Sequence, residues 1–308
     1  MIKVLSLGEL LWDIIEGKAY IGGAPFNLAS HLAKMSVQSA YISSVGKDDL
    51  GESAIKIAKN YGLDTEYIAP HPNLPTGKVD VFLDEMGNPQ YTIHENIAWD
   101  EINLQDKLKN ELLKKNWNAF CFGTLAQRTN SNRELLYDLI SQLDCKYIFY
   151  DVNLRQNFYQ REWIEHSLKL SNILKINEDE TKILSRLLLG KSVTIEEFCH
   201  IISSNYGIDI ICITLGKNGS IVYHGQDCFH IEGVKVKVID TVGAGDSYSA
   251  AFLFSFLSGR NPKECGQFAN QVGAFVASQP GAVPEYSFKL KEKIIKIRNR
   301  SNENNGNS

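Results

Sequence analysis

Asp240-Thr-Val-Gly243-Ala244-Gly245-Asp246 runs directly into the apolar stretch Ser-Tyr-Ser-Ala-Ala-Phe-Leu-Phe-Ser-Phe. Small residues opening a long apolar helix let backbone amides converge, and the helix N-terminus adds partial positive charge there. Such an arrangement suits a phosphoryl group. A carboxylate beside an anion hole can also take the proton of a hydroxyl that attacks the bound phosphate. Alone, Asp246 reads equally well as a helix cap; the whole string carries the chemistry. A second string, Gly22-Gly23-Ala24-Pro25-Phe26-Asn27, sets two glycines before a helix-opening proline. It permits close backbone approach to a ligand, with the Asn27 amide beside it, although a structural turn accounts for it as well.

Other chemistries find less support. There is no G-x-x-x-x-G-K-[ST], and Gly243-Ala-Gly245 lacks a third glycine and lies far from the N-terminus, unlike a dinucleotide fingerprint. The six cysteines form no C-x-x-C pair, so neither a zinc ribbon nor a disulfide framework is expected, and reduced buried thiols are. His31, His94 and His166 share no metal-like spacing, which leaves them solvated or capping roles. A net charge of −4 over 308 residues argues against a nucleic-acid or polybasic membrane surface. The apolar run at the N-terminus meets Glu9 too early for a signal segment, and Ala250 to Leu257 is too short to span a bilayer. A cytoplasmic protein is expected.

Short β-branched runs alternate with amphipathic ones along most of the chain. Strands are expected at 2–7, 40–44, 146–151, 172–176 and 209–214, and at Val234 to Ile239 before the glycines. Helices are expected at 26–35, 49–61 with Gly62 just past the end, 131–142, 161–170, 178–187 and 194–205. The alternation predicts an α/β fold with a doubly wound, mostly parallel sheet flanked by helices. One stretch breaks the rhythm: Thr76 to Asp84 and Gln90 to His94 alternate at period two around Glu85-Met-Gly-Asn-Pro89, a β-hairpin. Two strands alone are marginal, so pairing with Leu10 to Ile21 into a small β-sheet is expected. Such a sheet is a candidate lid and, equally, a candidate homodimer contact. The core then comprises 1–10, 22–74 and 101–290, and the lid 11–21 and 75–100. The tail from Lys289 to Ser308 starts as a basic helix and ends in a polar, apolar-poor run, so 291–308 is expected to be a disordered tail.

Gly22-Gly-Ala-Pro-Phe-Asn27-Leu-Ala29, with Ser36 and Gly46, resembles the N-terminal signature of the PfkB (ribokinase-like) carbohydrate kinases, and Asp240 to Leu253 resembles their C-terminal one. The resemblance spans Gly8 to about Pro284. Within the family, Gly8-Glu-Leu-Leu-Trp-Asp13 and Gly-Gly-Ala-Pro look most like fructokinases. The resemblance implies a ribokinase-like fold and transfer of the γ-phosphoryl of ATP to a primary hydroxyl of a free sugar, with D-fructose the favoured acceptor.

Carried onto this chain, the resemblance makes Asp246 the catalytic base and the amides of Gly243, Ala244 and Gly245 the anion hole. Asn177 and Glu180, in Lys175-Ile-Asn-Glu-Asp-Glu180, would hold Mg2+ and phosphates through water, though they read equally as a helix-capping pair. Thr214, Gly216 and Gly219 fall on the nucleotide side, and Asn270 near the adenine, where a polar residue on a surface helix is the alternative. Asp240 and the carbonyl of Val242, with ligands from 277–281, would take a monovalent cation such as K+. Asp13, Gly23, Asn27 and Arg155, the last in Asp-Val-Asn-Leu-Arg, would bind the sugar, with Phe82 or Ile93 of the hairpin adding apolar contact. Two features depart from the family: Phe26 stands where many members have a small residue, and Asn96-Ile-Ala-Trp99 is an unusual end to the lid. No Arg/Lys cluster marks a phosphosugar acceptor. Kinases of ribose or ketodeoxygluconate remain alternatives, as does a non-catalytic sugar or nucleotide sensor.

Overall fold

The structure, a computed structural model, describes residues 1–83 and 89–305. In chain order its elements are β1 (Lys3–Leu7), β2 (Leu11–Ile15), β3 (Lys18–Gly22), α1 (Ala24–Lys34), β4 (Gln38–Gly46), α2 (Asp49–Asn60), β5 (Ile68–His71), β6 (Gly77–Leu83) and β7 (Pro89–Ile93). There follow α3 (Asp106–Leu113), β8 (Trp117–Gly123), α4 (Asn130–Gln142), β9 (Cys145–Asp151), α5 (Arg161–Leu170), β10 (Ile173–Asn177), α6 (Glu178–Leu189) and α7 (Ile195–Tyr206). Last come β11 (Ile210–Thr214), β12 (Gly219–His224), β13 (Asp227–Glu232), α8 (Ala244–Leu257), α9 (Pro262–Ala277) and α10 (Phe288–Asn305).

Nine strands form one sheet in the order β13-β12-β11-β10-β9-β8-β1-β4-β5. All neighbours are parallel from β11 to β5, while β12 and β13 close one edge antiparallel. Both faces are covered, as a parallel sheet requires. Leu136, Ile164, Leu184 and Phe198, from α4 to α7, pack on one face. Leu28, Leu32, Phe252, Phe268 and Leu290, from α1, α8, α9 and α10, pack on the other. Helix α8 is apolar all round and buried from Ser247 to Ser255, as expected of a helix enclosed on every side. Phe26 finds room in a third cluster, its ring edge-on to Tyr41 at 5.7 Å.

The hairpin pairs with the N-terminal strands into a second sheet, β3-β2-β6-β7, with β2 parallel to β6. Both ends of the second insertion are fastened. Before β6, the Thr76 amide donates to Asp48 Oδ2 (2.8 Å), and Asp48 also caps α2 by accepting from the Gly51 amide (2.8 Å). After β7, Arg128 donates through Nη2 to the His94 carbonyl (2.6 Å) and forks onto Asp100 at 2.6 and 2.9 Å. Its guanidinium lies over Trp99 and faces Phe158. The turn expected at 85–88 and the side chain of Phe82 lie outside the described residues, whereas Ile93 is buried in the core.

Three expectations are overturned. Val234 to Ile239 forms no strand: these residues follow β13 as an unpaired link, and Val238 and Ile239 are more than half exposed. The edge strands that the sequence left unassigned lie just before it, at β12 and β13. The segment 291–308 is helical through Asn305, because Leu290 and Ile294 seat α10 against the core. His31 is neither solvated nor a cap. It is buried, with Nδ1 2.6 Å from the Tyr286 hydroxyl and Nε2 2.9 Å from the Ala282 carbonyl, and burial pushes its pKa down to about 4. A carbonyl only accepts, so Nε2 carries the proton and Nδ1 accepts from Tyr286. Among the described residues no helix is long and apolar enough to cross a membrane.

The Arg128–Asp100 pair, 5% and 7% exposed, yields a stability prediction. Arg128→Ala leaves Asp100 as an uncompensated buried charge, so denaturant unfolding is expected to show a loss of about 3–5 kcal/mol. A loss below ~1 kcal/mol would show that this pair does not fasten the lid to the core.

Candidate active site

Parallel α/β sheets bind ligands beyond the carboxyl ends of their strands, where the strand order reverses. Glu9 follows β1, Asp151 ends β9, Asn177 ends β10 and Thr214 ends β11, so all four lie along that edge, spread over five strands. Helices α1 and α8 lie side by side beneath it, with their N-termini directed there.

Local sequence explains how each helix starts. Gly23 is the N-cap of α1 at φ +119°, and a side chain there would collide with the Glu9 carbonyl. Pro25 then sets the first turn. Gly243 caps α8 in the left-handed region at φ +74°, and a Cβ on it would stand 2.6 Å from the Ala282 carbonyl oxygen. Only glycine combines that backbone with that proximity.

The two strings meet through one bond: Asn27 Nδ2 donates to Asp246 Oδ2 at 2.8 Å across 219 residues of sequence. Asn27 Oδ1 is buried without a partner. Burial raises Asp246 to about 6, with the Asp151 charge adding to the rise and Lys175, Asn27 and Arg155 opposing it. Asp13 is raised to about 6 by burial, against the pull of Arg155. Arg155 is exposed and exerts its charge on Glu9, Asp13 and Asp246 together. Asp13, Gly23, Asn27, Arg155 and Asp246 therefore form one neighbourhood.

At the start of α8, the Ala244 amide bonds the Thr241 carbonyl at 3.2 Å, which leaves the other nominated amides, Gly243 and Gly245, as the more available donors. Asp240 Oδ1 accepts from the Val242 amide (2.9 Å) and Oδ2 from the Gly281 amide (3.0 Å). The 240–242 turn thus touches the 277–281 segment. A carboxylate with spare lone pairs beside carbonyls is the hard-oxygen donor set that suits K+ rather than a soft metal.

Asn177 and Glu180 form the capping box of α6: Asn177 Oδ1 accepts from the Glu180 amide and Glu180 Oε2 from the Asn177 amide, each at 2.8 Å. Glu180 Oε1 also accepts from the Leu154 amide at 2.8 Å. Each carboxylate oxygen keeps a lone pair, so Glu180 fits Mg2+ held through water. Gly219 makes the tight turn against Ile231 and Gly233, with Thr214 and Gly216 alongside in the β11–β12 connection. Asn270 is buried, not on a surface, and its Nδ2 spans the carbonyls of Ile231 and Glu232 at 3.2 Å each. Its amide nitrogen ties α9 to β13. Beside the lid, a cavity of about 260 Å3 is lined by Asn96, Arg128, Thr129, Asn157 and Phe158; Asp246 is not among its lining residues.

Three residues escaped the sequence reading. Lys175 is buried, its Nζ 3.0 Å from Asp151 Oδ1, and a Cβ on Gly245 would lie 3.3 Å from that nitrogen. It puts a cation under the first turn of α8. Burial alone would lower its pKa, but Asp151, Glu180 and Asp246 hold it above its ordinary value. Asp151 also accepts from the Ser249 hydroxyl at 2.8 Å, which orients it. Glu9 is 2% exposed; Oε1 accepts from the Ala24 amide at 3.3 Å, and Oε2 has no partner. Its signal was available: an acid directly after an apolar strand, where a parallel sheet binds ligands.

Residues 5–287 match the pfkB family of carbohydrate kinases. An uncharacterised sugar kinase of Pyrococcus horikoshii is 28% identical over 96% of this chain and 95% of its own. Its crystal structure in complex with ATP aligns at 26% identity with a TM-score of 0.78, over 97% of this chain and 99% of that one. Escherichia coli fructokinase is 24% identical over 91% of this chain and 95% of its own. The fold is shared with Vibrio cholerae fructokinase, determined with fructose, ADP and calcium, at a TM-score of 0.79 and 23% identity over 92% and 95% of the two chains.

Glu9 gives the next prediction. Burial raises its pKa from 4.5 to about 7, Arg155 and backbone donors opposing and Asp246 adding. Between those values the folded chain holds a proton that the unfolded chain has released, so stability falls as pH rises through the window. Glu9→Gln removes that dependence. Relative to wild type, the variant is expected to gain on going from pH 5 to pH 8, by at most about 3 kcal/mol at about 1.4 kcal/mol per unit. Parallel pH profiles from urea melts would show that Glu9 is not the titrating acid.

Proposed function

The chain belongs to the pfkB family of carbohydrate kinases, and we propose that within it the protein is an ATP-dependent kinase of a free sugar, D-fructose above others. The observation that carries this reading is the Asn27–Asp246 hydrogen bond. It sets a polyol-binding amide against a partly buried carboxylate at a helix N-terminus. The acceptor's primary hydroxyl binds beside Asp246, which takes its proton as the oxygen attacks the γ-phosphorus. Gly243 and Gly245 amides, the α8 dipole and Lys175 stabilise the charge spreading over the transferring phosphoryl. Mg2+, when bound with the nucleotide, would neutralise phosphate charge; on this chain Asn177 and Glu180 are the residues that would hold it, through water. Asp240 and the Val242 carbonyl take a monovalent cation and so support the turn that leads to the anion hole.

Fructose is favoured by its recognition groups. Asp13 accepts from sugar hydroxyls, and Arg155 beside it donates while keeping charge on the carboxylates. The second sheet closes over the acceptor and excludes water, a competing nucleophile. Relatives at similar identity act on different acceptors, among them Escherichia coli fructokinase and the 5-dehydro-2-deoxygluconokinase of Clostridium beijerinckii. The acceptor is therefore the part of the reading that an assay decides.

ADP release from Mg·ATP over a panel of free sugars is expected to be greatest with fructose. Asp246→Asn is expected to lower turnover by roughly 10²–10⁴-fold, the range for a positioned general base, with sugar binding retained. Turnover on another sugar would keep the mechanism and replace the acceptor. ATP binding without turnover on any sugar would favour a sensor.

With Asp246 near 6, kcat/KM is expected to rise about tenfold per pH unit below that value and to level off above it, since the ionised form is the base. A profile flat from pH 5 to pH 8 would remove Asp246 from that role.

A further inference from the structure

Strand β13 turns alternate residues to opposite layers. Phe229 and Ile231 pack with α8 and α9, whereas Cys228 packs with the layer that holds Ile221, Tyr223 and Cys199. His230, two residues from Cys228, shares its face. Facing them is Glu196, in the first turn of α7. His230 Nε2 lies 3.2 Å from Glu196 Oε1 and 4.0 Å from Cys228 Sγ, and all three atoms lie within 4.8 Å of one another.

Thiolate, imidazole and carboxylate are the donors of biological zinc sites. With Zn–N and Zn–O bonds of about 2.0 Å and Zn–S of about 2.3 Å, a tetrahedron has N–O edges of about 3.3 Å and S–N edges of about 3.6 Å. The N–O and S–N separations in the protein, 3.2 and 4.0 Å, differ from these by a few tenths of an ångström, and the sulfur and carboxylate oxygen lie within 4.8 Å. Glu196 and His230 are 54% and 62% exposed, so packing does not oppose the adjustment. An ion pair accounts for His230 and Glu196, and Cys228 combines its apolar packing with a sulfur turned to the same pair.

We propose that Glu196, Cys228 and His230 form a binding site for a thiophilic divalent cation, Zn2+ in the first place, with water as the fourth ligand. As the cation binds, the Cys228 thiol releases its proton to solvent and the sulfur's electron pair goes to the metal. Mg2+ prefers octahedral oxygen and keeps its waters, so the kinase's own cation does not compete. A cation there joins the edge strand β13 to α7, and the chain runs on from that strand through the irregular link 233–243 to the start of α8. The site thereby offers a means for a thiophilic metal to stiffen the nucleotide side.

The test is titration of untagged, reduced, metal-free full-length protein with Co2+ in excess Mg2+. A thiolate-to-cobalt charge-transfer band saturating at one equivalent is expected, and Zn2+ should abolish it. Cys228→Ser should lack the band, and His230→Ala should bind Co2+ at least tenfold more weakly, by analogy with the cost of losing metal-site partners. Both positions are at least partly exposed, and an unchanged thermal transition checks that each variant is folded. No band in wild type, a band that persists in Cys228→Ser, or unchanged affinity in His230→Ala would each overturn the proposal.

Discussion

Asp246 is a partly buried carboxylate at the N-terminal end of a buried helix, and the molecule is arranged around making that tolerable. The Asn27 amide donates to it, the α8 N-terminus faces it, and Lys175 and Arg155 place positive charge nearby. The compensation is incomplete. Glu9, Asp13, Asp151, Glu180 and Asp246 share a connected field with only those two cations. Burial is the main reason that Glu9, Asp13 and Asp246 all have raised pKa values; a neighbouring carboxylate adds to it at Glu9 and Asp246, and Arg155 opposes it at all three.

The same logic of fastening recurs at the second sheet. Its strands leave the core at Leu11 and return at Gly22, then leave again at Gly77 and return after Ile93. The departure at Gly77 is held by Asp48 through the Thr76 amide, and the return by Arg128 through the His94 carbonyl. Asp48 also caps α2, which packs against the cluster containing Phe26 and Tyr41. The root of the second sheet and the base of α1 therefore share neighbours.

Much of this was legible in the residues. Period-two alternation in 76–94 and apolar alternation elsewhere specify a pleated sheet and its helices, because burial of one face leaves little freedom of register. The glycines at 23 and 243 were legible because each backbone excludes a side chain. Less was legible where long-range partners decide. Val234 to Ile239 has strand composition, yet β12 and β13 pair before it and leave it outside the sheet. His31 carries no sequence sign of the Tyr286 hydroxyl and Ala282 carbonyl that enclose it. Asn177 and Glu180 were placed together, and their alternative as a capping pair is satisfied in the same geometry that would serve phosphates. Glu9 and Lys175 were passed over because each lies within an apolar or already interpreted string, and only their burial discloses the charge network.

Strand β1 sits near the middle of the large sheet, between β4 and β8. It precedes both partners along the chain: one neighbour lies some 35 residues later in the sequence and the other past residue 116. Helix α1 follows soon and covers part of that face, but the α8 and α9 that complete the layer come only after residue 243. The N-terminal half by itself therefore leaves the outer side of α1 without the helix it packs on. Contacts of such sequence separation are slow to form, so this chain is expected to depend on chaperones during synthesis more than its ordinary composition suggests.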